Sequence, residues 1–215
     1  MIIYNRGEDE NDKEFAYRIL KNNIVTNNLK PGEHLMSEVN LSKKLNISRA
    51  NIREAIAKLR NERLLDVKPQ SGINISLINW ELIEEAIFMR CIIEKCIMED
   101  IVDNFDKDIL IKLENNLFAQ KLVLNKKDKL IEFYELDIEF HRLLFLGSKK
   151  INIWEDTINM NSHYNRILFL SYKNYGKMEI VNQHEKYLEI LKNKDKDAIK
   201  DLIINHIKYP INHFC

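Results

Sequence analysis

Only five glycines and three prolines interrupt the 215 residues of this chain. Folds built from short strands need a turn about every eight to twelve residues, and turns draw on glycine and proline. A glycine-rich nucleotide-binding loop is disfavoured on the same ground. A mostly α protein is therefore expected. It is long enough to bury a core without disulfides and to form one large domain or two small ones.

The helical period starts at Glu14, carried by Phe15, Ile19, Leu20 and Ile24, and stops at Leu29-Lys30-Pro31-Gly32. A second helix is expected from near Ser37, with Val39, Leu41 and Leu45, and a third from Ser48, with Ile52, Ile56 and Leu59. Two alternating runs follow, Leu65 to Lys68 and Ile73 to Ser76, separated by the turn sequence Pro69-Gln70-Ser71-Gly72. Beyond Asn79 the strand signal ends. Six amphipathic helical stretches are expected, at about 80–104, 106–125, 128–147, 150–173, 177–193 and 195–212, with short breaks that suit an antiparallel bundle. The predicted organisation is a tail over 1–12 that frays, a first unit over 13–78 and an all-helical unit over 79–215.

Net charge is zero, but it is unevenly spread. Lys13 to Ser76 holds twelve basic and six acidic residues, whereas twenty basic and twenty-three acidic follow Asn79. A basic front and a mildly acidic back suit different partners. Cys91, Cys96 and Cys215 lack a CxxC spacing and are expected as free thiols, in keeping with a reducing cytoplasm. The polar start has no apolar leader core, and no apolar run approaches the roughly 18 residues that span a bilayer. A cytoplasmic protein with no membrane partner is expected.

The second and third helices form a helix-turn-helix candidate. Ser48 is suited to cap the third helix, and Ile52, Ile56 and Leu59 give it a buried face. Arg49 and Arg53, four apart, share another face near its start. Major-groove readers place that region on base edges, where arginine bonds guanine bidentately. Asn51 is a candidate for base or phosphate contact. Lys43, Lys44 and Lys68 are candidates for phosphates, and Gly72 for close approach of the hairpin to DNA. The plainer alternative is a three-helix domain with a solvated arginine face. The string Leu29-Lys30-Pro31-Gly32-Glu33-His34-Leu35, then Glu38, then Leu45-Asn46-Ile47-Ser48-Arg49 and Ile52-Arg53-Glu54-Ala55-Ile56-Ala57-Lys58-Leu59, resembles the winged helix-turn-helix of GntR-type bacterial transcription regulators. The resemblance covers about residues 13–78. It implies that Arg49 and Arg53 contact an operator in double-stranded DNA and that Gly72 sits in the wing. Val39 stands where some members carry another base-reading arginine, so their operator sequence does not carry over.

In the back segment, Asp137 and His141 lie at i and i+4 on one helix face, and His184 and His206 lie on later helices. A bundle interior can gather such ligands, and three imidazoles with one carboxylate suit Zn, Ni, Mn or Fe. An Asp-x3-His pair is also a common surface salt bridge. The segment over about 80–212 resembles the all-α effector domain of the FadR branch of the same family, the FCD domain. With six helices, it is most like the shorter VanR-type members. Asp137, His141, His184 and His206 fill the four ligand positions of that pattern, and Arg90-Cys91-Ile92-Ile93-Glu94 matches its R-x3-E. Ser148-Lys149-Lys150 departs from the helix start common in other members.

The resemblance implies a metal, zinc first, that helps to hold a small organic acid. Arg90 and then Arg166 are candidates for the ligand's other charge, with Asn159 and Tyr134 in the cavity wall. A salt bridge to Glu94 is the competing role for Arg90. His163 is expected as a core or surface histidine, and His34 and His213 as solvated or near DNA. Trp80, Trp154, Phe88, Phe118, Phe133, Phe140 and Phe145 are expected in the core. The expected function is a ligand-responsive regulator, a repressor by the family's commoner arrangement. It would act as a homodimer on a palindromic operator. Two rivals are a regulator whose metal is purely structural and a metal-dependent enzyme using the same ligands.

Overall fold

The computed structural model describes residues 1–68 and 72–212, which leaves residues 69–71, where a turn is expected from the sequence, and His213 and Cys215 outside the described residues. The chain divides into two compact units at Trp80–Glu81.

The first unit contains α1 (Asp12–Val25), α2 (Glu38–Leu45), α3 (Arg49–Asn61), β1 (Leu65–Lys68) and β2 (Gly72–Ile75). Each helix begins where the local sequence can satisfy its free N–H groups. Asn11 and Glu14 form a reciprocal capping box at α1, while Ser37 and Ser48 accept from the backbone N–H three residues on, at Asn40 and Asn51. Between α2 and α3, Asn46 takes the left-handed conformation (φ 54°), which asparagine tolerates better than most residues. The Ser42 hydroxyl donates to the Ile47 carbonyl across that turn at 2.6 Å. The core gathers the apolar stripes expected from the sequence, including Ile19, Leu20, Leu41, Ile52 and Leu59. The hairpin pairs Leu65 with Ile75 and Lys68 with Gly72. The Pro-Gly loop lies along its outer edge, Leu35 N–H donating to Ile73 O and Ile75 N–H to Glu33 O, each at 2.8 Å.

The amino-terminal segment, expected as a tail, makes contacts with the first unit. Asn23 is fully buried in α1 and needs partners for its amide; the Ile2 backbone supplies both, at 2.6 and 2.7 Å. Met1 and Tyr4 pack against the core, and Glu10 takes two hydrogen bonds from Arg18.

The second unit is a helical bundle: α4 (Trp80–Ile101), α5 (Lys107–Val123), α6 (Leu130–Gly147), α7 (Ile151–Met160), α8 (Ser162–Tyr175), α9 (Met178–Asn193) and α10 (Ile199–Asn212). A 3-10 turn, Lys127–Lys129, leads into α6. α5 packs along α6 and α9, and α10 along α8 and α9. The stretch expected as one helix over 150–173 is two helices that meet at Asn161. The Ser162 hydroxyl bonds the Asn159 carbonyl there, and the Asn161 carbonyl opens the next helix by accepting from Asn165 N–H. Short polar side chains that bond nearby backbone compete with a continuous helix in this way.

Phe133, Phe140, Phe145 and Trp154 are buried as expected. Trp80, Phe88 and Phe118 are not: they are 43%, 71% and 63% exposed. Phe118 belongs with Ile111 and Leu122 to an apolar stripe of α5 on the side away from buried Leu113 and Leu117. Hydrophobic period identifies a face but not whether a neighbour covers it.

Candidate functional site

Four side chains from three helices converge inside the bundle. Asp137 and His141 come from successive turns of α6, His184 from α9 and His206 from α10. One ligand atom from each lies within 4.8 Å of every other, and all four residues are buried. His184 stacks on Phe140, with ring centroids 4.0 Å apart.

The surroundings dictate which nitrogen of each ring faces the cluster. Asn116 donates to the Leu136 carbonyl, so its amide oxygen faces Gln120 and accepts from Gln120 Nε2 at 2.7 Å. That leaves Gln120 Oε1 to accept from His184 Nδ1, 2.8 Å away. Gln183 Nε2 donates to the Glu179 carboxylate, so Gln183 Oε1 accepts from His206 Nδ1 at 2.9 Å. His141 Nδ1 lies 2.8 Å from Glu94 Oε2. Nδ1 of His184 and Nδ1 of His206 therefore carry the proton, and their Nε2 atoms present lone pairs to the cluster, where His141 Nε2 also lies. Metal-binding histidines are held in this manner.

The cluster fits a metal ion by a second criterion. Buried Asp137 Oδ1 and His184 Nε2, 3.4 Å apart, have no hydrogen-bond partner among the described residues. His141 Nε2 and His206 Nε2 lie 2.9 Å apart at the same point. A cation bound by three imidazoles and a carboxylate satisfies all of these groups, and that donor set suits zinc and its first-row neighbours.

The electrostatics agree. Burial, and then the neighbouring His141, hold His184 and His206 well below the ordinary histidine range, so both are neutral and fit to ligate. Burial raises the Asp137 pKa, against the pull of His141 and Arg90. Glu94 is driven the other way. Burial opposes its charge, but Arg90 and His141 outweigh burial and hold it well below the usual carboxylate range.

Among the effector candidates, Arg90 is joined to the cluster through Glu94. Its Nε donates to Glu94 Oε1 at 2.6 Å, both residues are buried, and its guanidinium lies over the Tyr164 ring. The salt bridge weighed from the sequence is thus present, and it leads to His141 of the cluster. Arg166 is buried in α8, and burial pushes its pKa down to about 10. Tyr134 stands one turn before Asp137 on α6, edge-on to Phe169, and is raised by burial and then by the Asp137 charge. Asn159 is not placed as expected. It is half-buried and donates to the Glu155 carbonyl of its own helix. The asparagine beside Arg90 and Glu94 is Asn161, buried, with an Oδ1 that has no partner among the described residues. Gln120, Gln183 and Asn116 escaped the sequence reading. Their signal was available, since Asn116 and Gln120 are polar residues set into the buried stripe of α5.

In the first unit, Arg49 is exposed in the first turn of α3, and Lys43 and Lys44 are exposed in the last turn of α2. Arg53 is exposed and paired with Glu38 at 3.0 Å. Ser48 is occupied as the cap. Asn51 is half-buried, its Nδ2 facing Asp12 Oδ2 at 3.4 Å. Gly72 opens β2 with φ +84°, so the backbone demands glycine; a Cβ there would also displace the exposed His34 ring. His34 is exposed, whereas His163 is buried. The side chain of Lys68 lies outside the described residues.

The FCD domain family matches residues 85–209, and the family of bacterial regulatory proteins named gntR matches residues 12–75. The chain belongs to the GntR family of regulators and carries an FCD domain. It is 29% identical over 193 residues to the HTH-type transcriptional repressor RspR of Escherichia coli, covering 89% of this chain and 84% of that one. It is 26% identical to the gluconate operon transcriptional repressor of Bacillus licheniformis, covering 84% and 75%. The solved structure of E. coli McbR/YncC has the same fold, with TM-score 0.78, 21% identity and 95% and 97% of the two chains covered. This GntR-family regulator therefore has a DNA-binding front unit and an effector-binding helical unit. Among its described residues no helix is long and apolar enough to cross a membrane.

Proposed function

We propose that this regulator is a repressor that senses a small organic acid through a metal held by Asp137, His141, His184 and His206. The observation that carries the reading is the convergence of the three imidazoles beside Asp137, with His184 and His206 anchored at Nδ1 by Gln120 and Gln183 and with His141 Nδ1 2.8 Å from Glu94. Zinc is the first choice, with nickel, manganese or iron as alternatives. Such an ion supplies a Lewis-acidic centre for a carboxylate. Arg90 and Arg166 would meet the ligand's remaining charge, and Tyr134 would bound the space. The family's regulators are not enzymes, and no catalytic role is assigned to any residue.

On DNA, Arg49 and Arg53 would read base edges, with Arg53 oriented by Glu38. Lys43, Lys44 and the backbone at Gly72 would meet phosphates. A homodimer would present two such heads to a palindromic operator. The exposed apolar residues Phe88 and Ile92 on α4, and Ile111, Phe118 and Leu122 on α5, supply a surface for a second copy. Effector binding would act through its different affinity for two arrangements of the heads.

A second reading has its own support. All four ligands are at most 4% exposed, and structural metal sites are closed whereas ligand-binding ones keep an open position. Elemental analysis of the purified protein, followed by titration of the holoprotein with citrate and related acids, separates the two. Sensing requires that an acid shift both the melting temperature and operator affinity. A melting temperature that falls on chelation but ignores every acid supports the structural role. Full metal content in His184→Ala discredits the ligand set.

A further inference from the structure

We propose that the second unit carries a separate binding site for a small anion with a short apolar body, in a lysine-walled cavity between the α5–α6 connection and the start of α9. The cavity measures about 560 Å³. Lys126, Lys127, Lys173 and Lys177 line it, and among the described residues that line it none is acidic. Leu124, Leu130 and Met178 supply its apolar wall. Like charges concentrated in a concave wall focus a positive potential on whatever enters.

Lys177 makes the cavity more than a patch of surface lysines. It is 8% exposed and forms no ion pair among the described residues, although the Asp128 charge acts on it from a distance. Two of its three N–H groups are used on the carbonyls of Val123, at 2.8 Å, and Lys126, at 3.3 Å, and its head also lies near the Phe133 ring. Buried charges are normally paired, because an unpaired one forfeits hydration. Burial lowers its pKa accordingly. Lys177 is also the residue that opens the 16-residue helix α9, and it offers no side-chain cap. The free N–H groups and positive end of that helix add to the lysine charge on the same side. A carboxylate or phosphate seated there completes Lys177, and its apolar part meets Leu124, Leu130 and Met178.

This cavity is distinct from the metal centre, although the two share a wall. Tyr172 lines the cavity, and its hydroxyl faces Asp137. A second anion could therefore be read by the same bundle.

Calorimetric titration of the full-length protein with hexanoate and with inorganic phosphate tests the proposal, on metal-loaded and chelator-treated samples. Hexanoate is expected to bind both forms, and more tightly than phosphate. The double variant Lys127→Glu, Lys173→Glu changes only exposed rim residues, so it should fold normally and bind hexanoate about tenfold more weakly, with the difference shrinking in high salt. Lys177→Met should lose binding too, with circular dichroism checking that its α5 contacts are dispensable for folding. Unchanged affinity in the rim variant overturns the site. Binding that disappears with the metal also overturns it, because the metal centre would then be the receptor. Phosphate binding as tight as hexanoate removes the apolar part. Failure of the metal-sensing reading leaves the chelated-sample result standing, so the two are separable.

Discussion

Nε2 of His141 and Nε2 of His206 face each other at 2.9 Å, and beside them Asp137 Oδ1 and His184 Nε2 have no hydrogen-bond partner among the described residues. A bound cation would satisfy these buried groups, which otherwise stay unpaired. Removal of metal should therefore lower stability as well as empty the site. At metal a hundredfold above its Kd, binding contributes about 2.7 kcal/mol. Chelation should lower the melting temperature by several degrees in scanning calorimetry, and zinc should restore it.

Acid should weaken the metal-free protein. His184 and His206 have pKa values well below normal in the fold, through burial first and His141 next, whereas in the unfolded chain they protonate near pH 6.5. In acid the unfolded chain then binds more protons, so stability that is present above about pH 6.5 is lost as pH falls below it. The urea midpoint of the chelated protein should drop from neutral pH toward pH 5. A midpoint flat over that range would mean that these rings are not buried as neutral groups.

Glu94 lies between buried Arg90 and His141. Glu94→Gln leaves the Arg90 charge buried without its partner, which costs about 3–5 kcal/mol. The same change removes the anionic acceptor from His141. Urea unfolding should show the loss, and Arg90→Met added to Glu94→Gln should recover much of it. Metal affinity should stay reduced in both, because the His141 anchor is missing in both.

Arg49→Ala and Arg53→Ala should each cost about 1–3 kcal/mol of specific operator binding if each reads a base bidentately. The helix itself is capped by Ser48 and packed by Ile52 and Ile56, so circular dichroism and melting should stay unchanged. Gel shifts with specific and scrambled duplexes measure the effect. Equal affinity of wild type and variant for the specific duplex would remove the recognition assignment.

Phe118 is 63% exposed in an apolar stripe with Ile111 and Leu122. If a second copy covers this face, Phe118→Lys should convert a dimer into a monomer in light scattering and weaken operator binding with it. A variant that remains dimeric would move the interface elsewhere.

The sequence by itself determined the local parts: the caps at Ser37 and Ser48, the left-handed Asn46 turn, the hairpin with its demanding Gly72, and the i, i+4 placement of Asp137 and His141. These follow from spacing within a few residues, where backbone geometry is the same in any surroundings. The reach of Asp137 to His184 and His206 was also legible, through motif resemblance. What only the tertiary structure decided is which faces meet. Gln120, Gln183 and Glu94 became anchors for the histidines because α5, α9 and α4 bring them there. The Ile2 backbone settled on Asn23, and Phe88 on α4 and Phe118 on α5 stayed exposed. Burial is a property of long-range neighbours, and one helix's period carries no record of them.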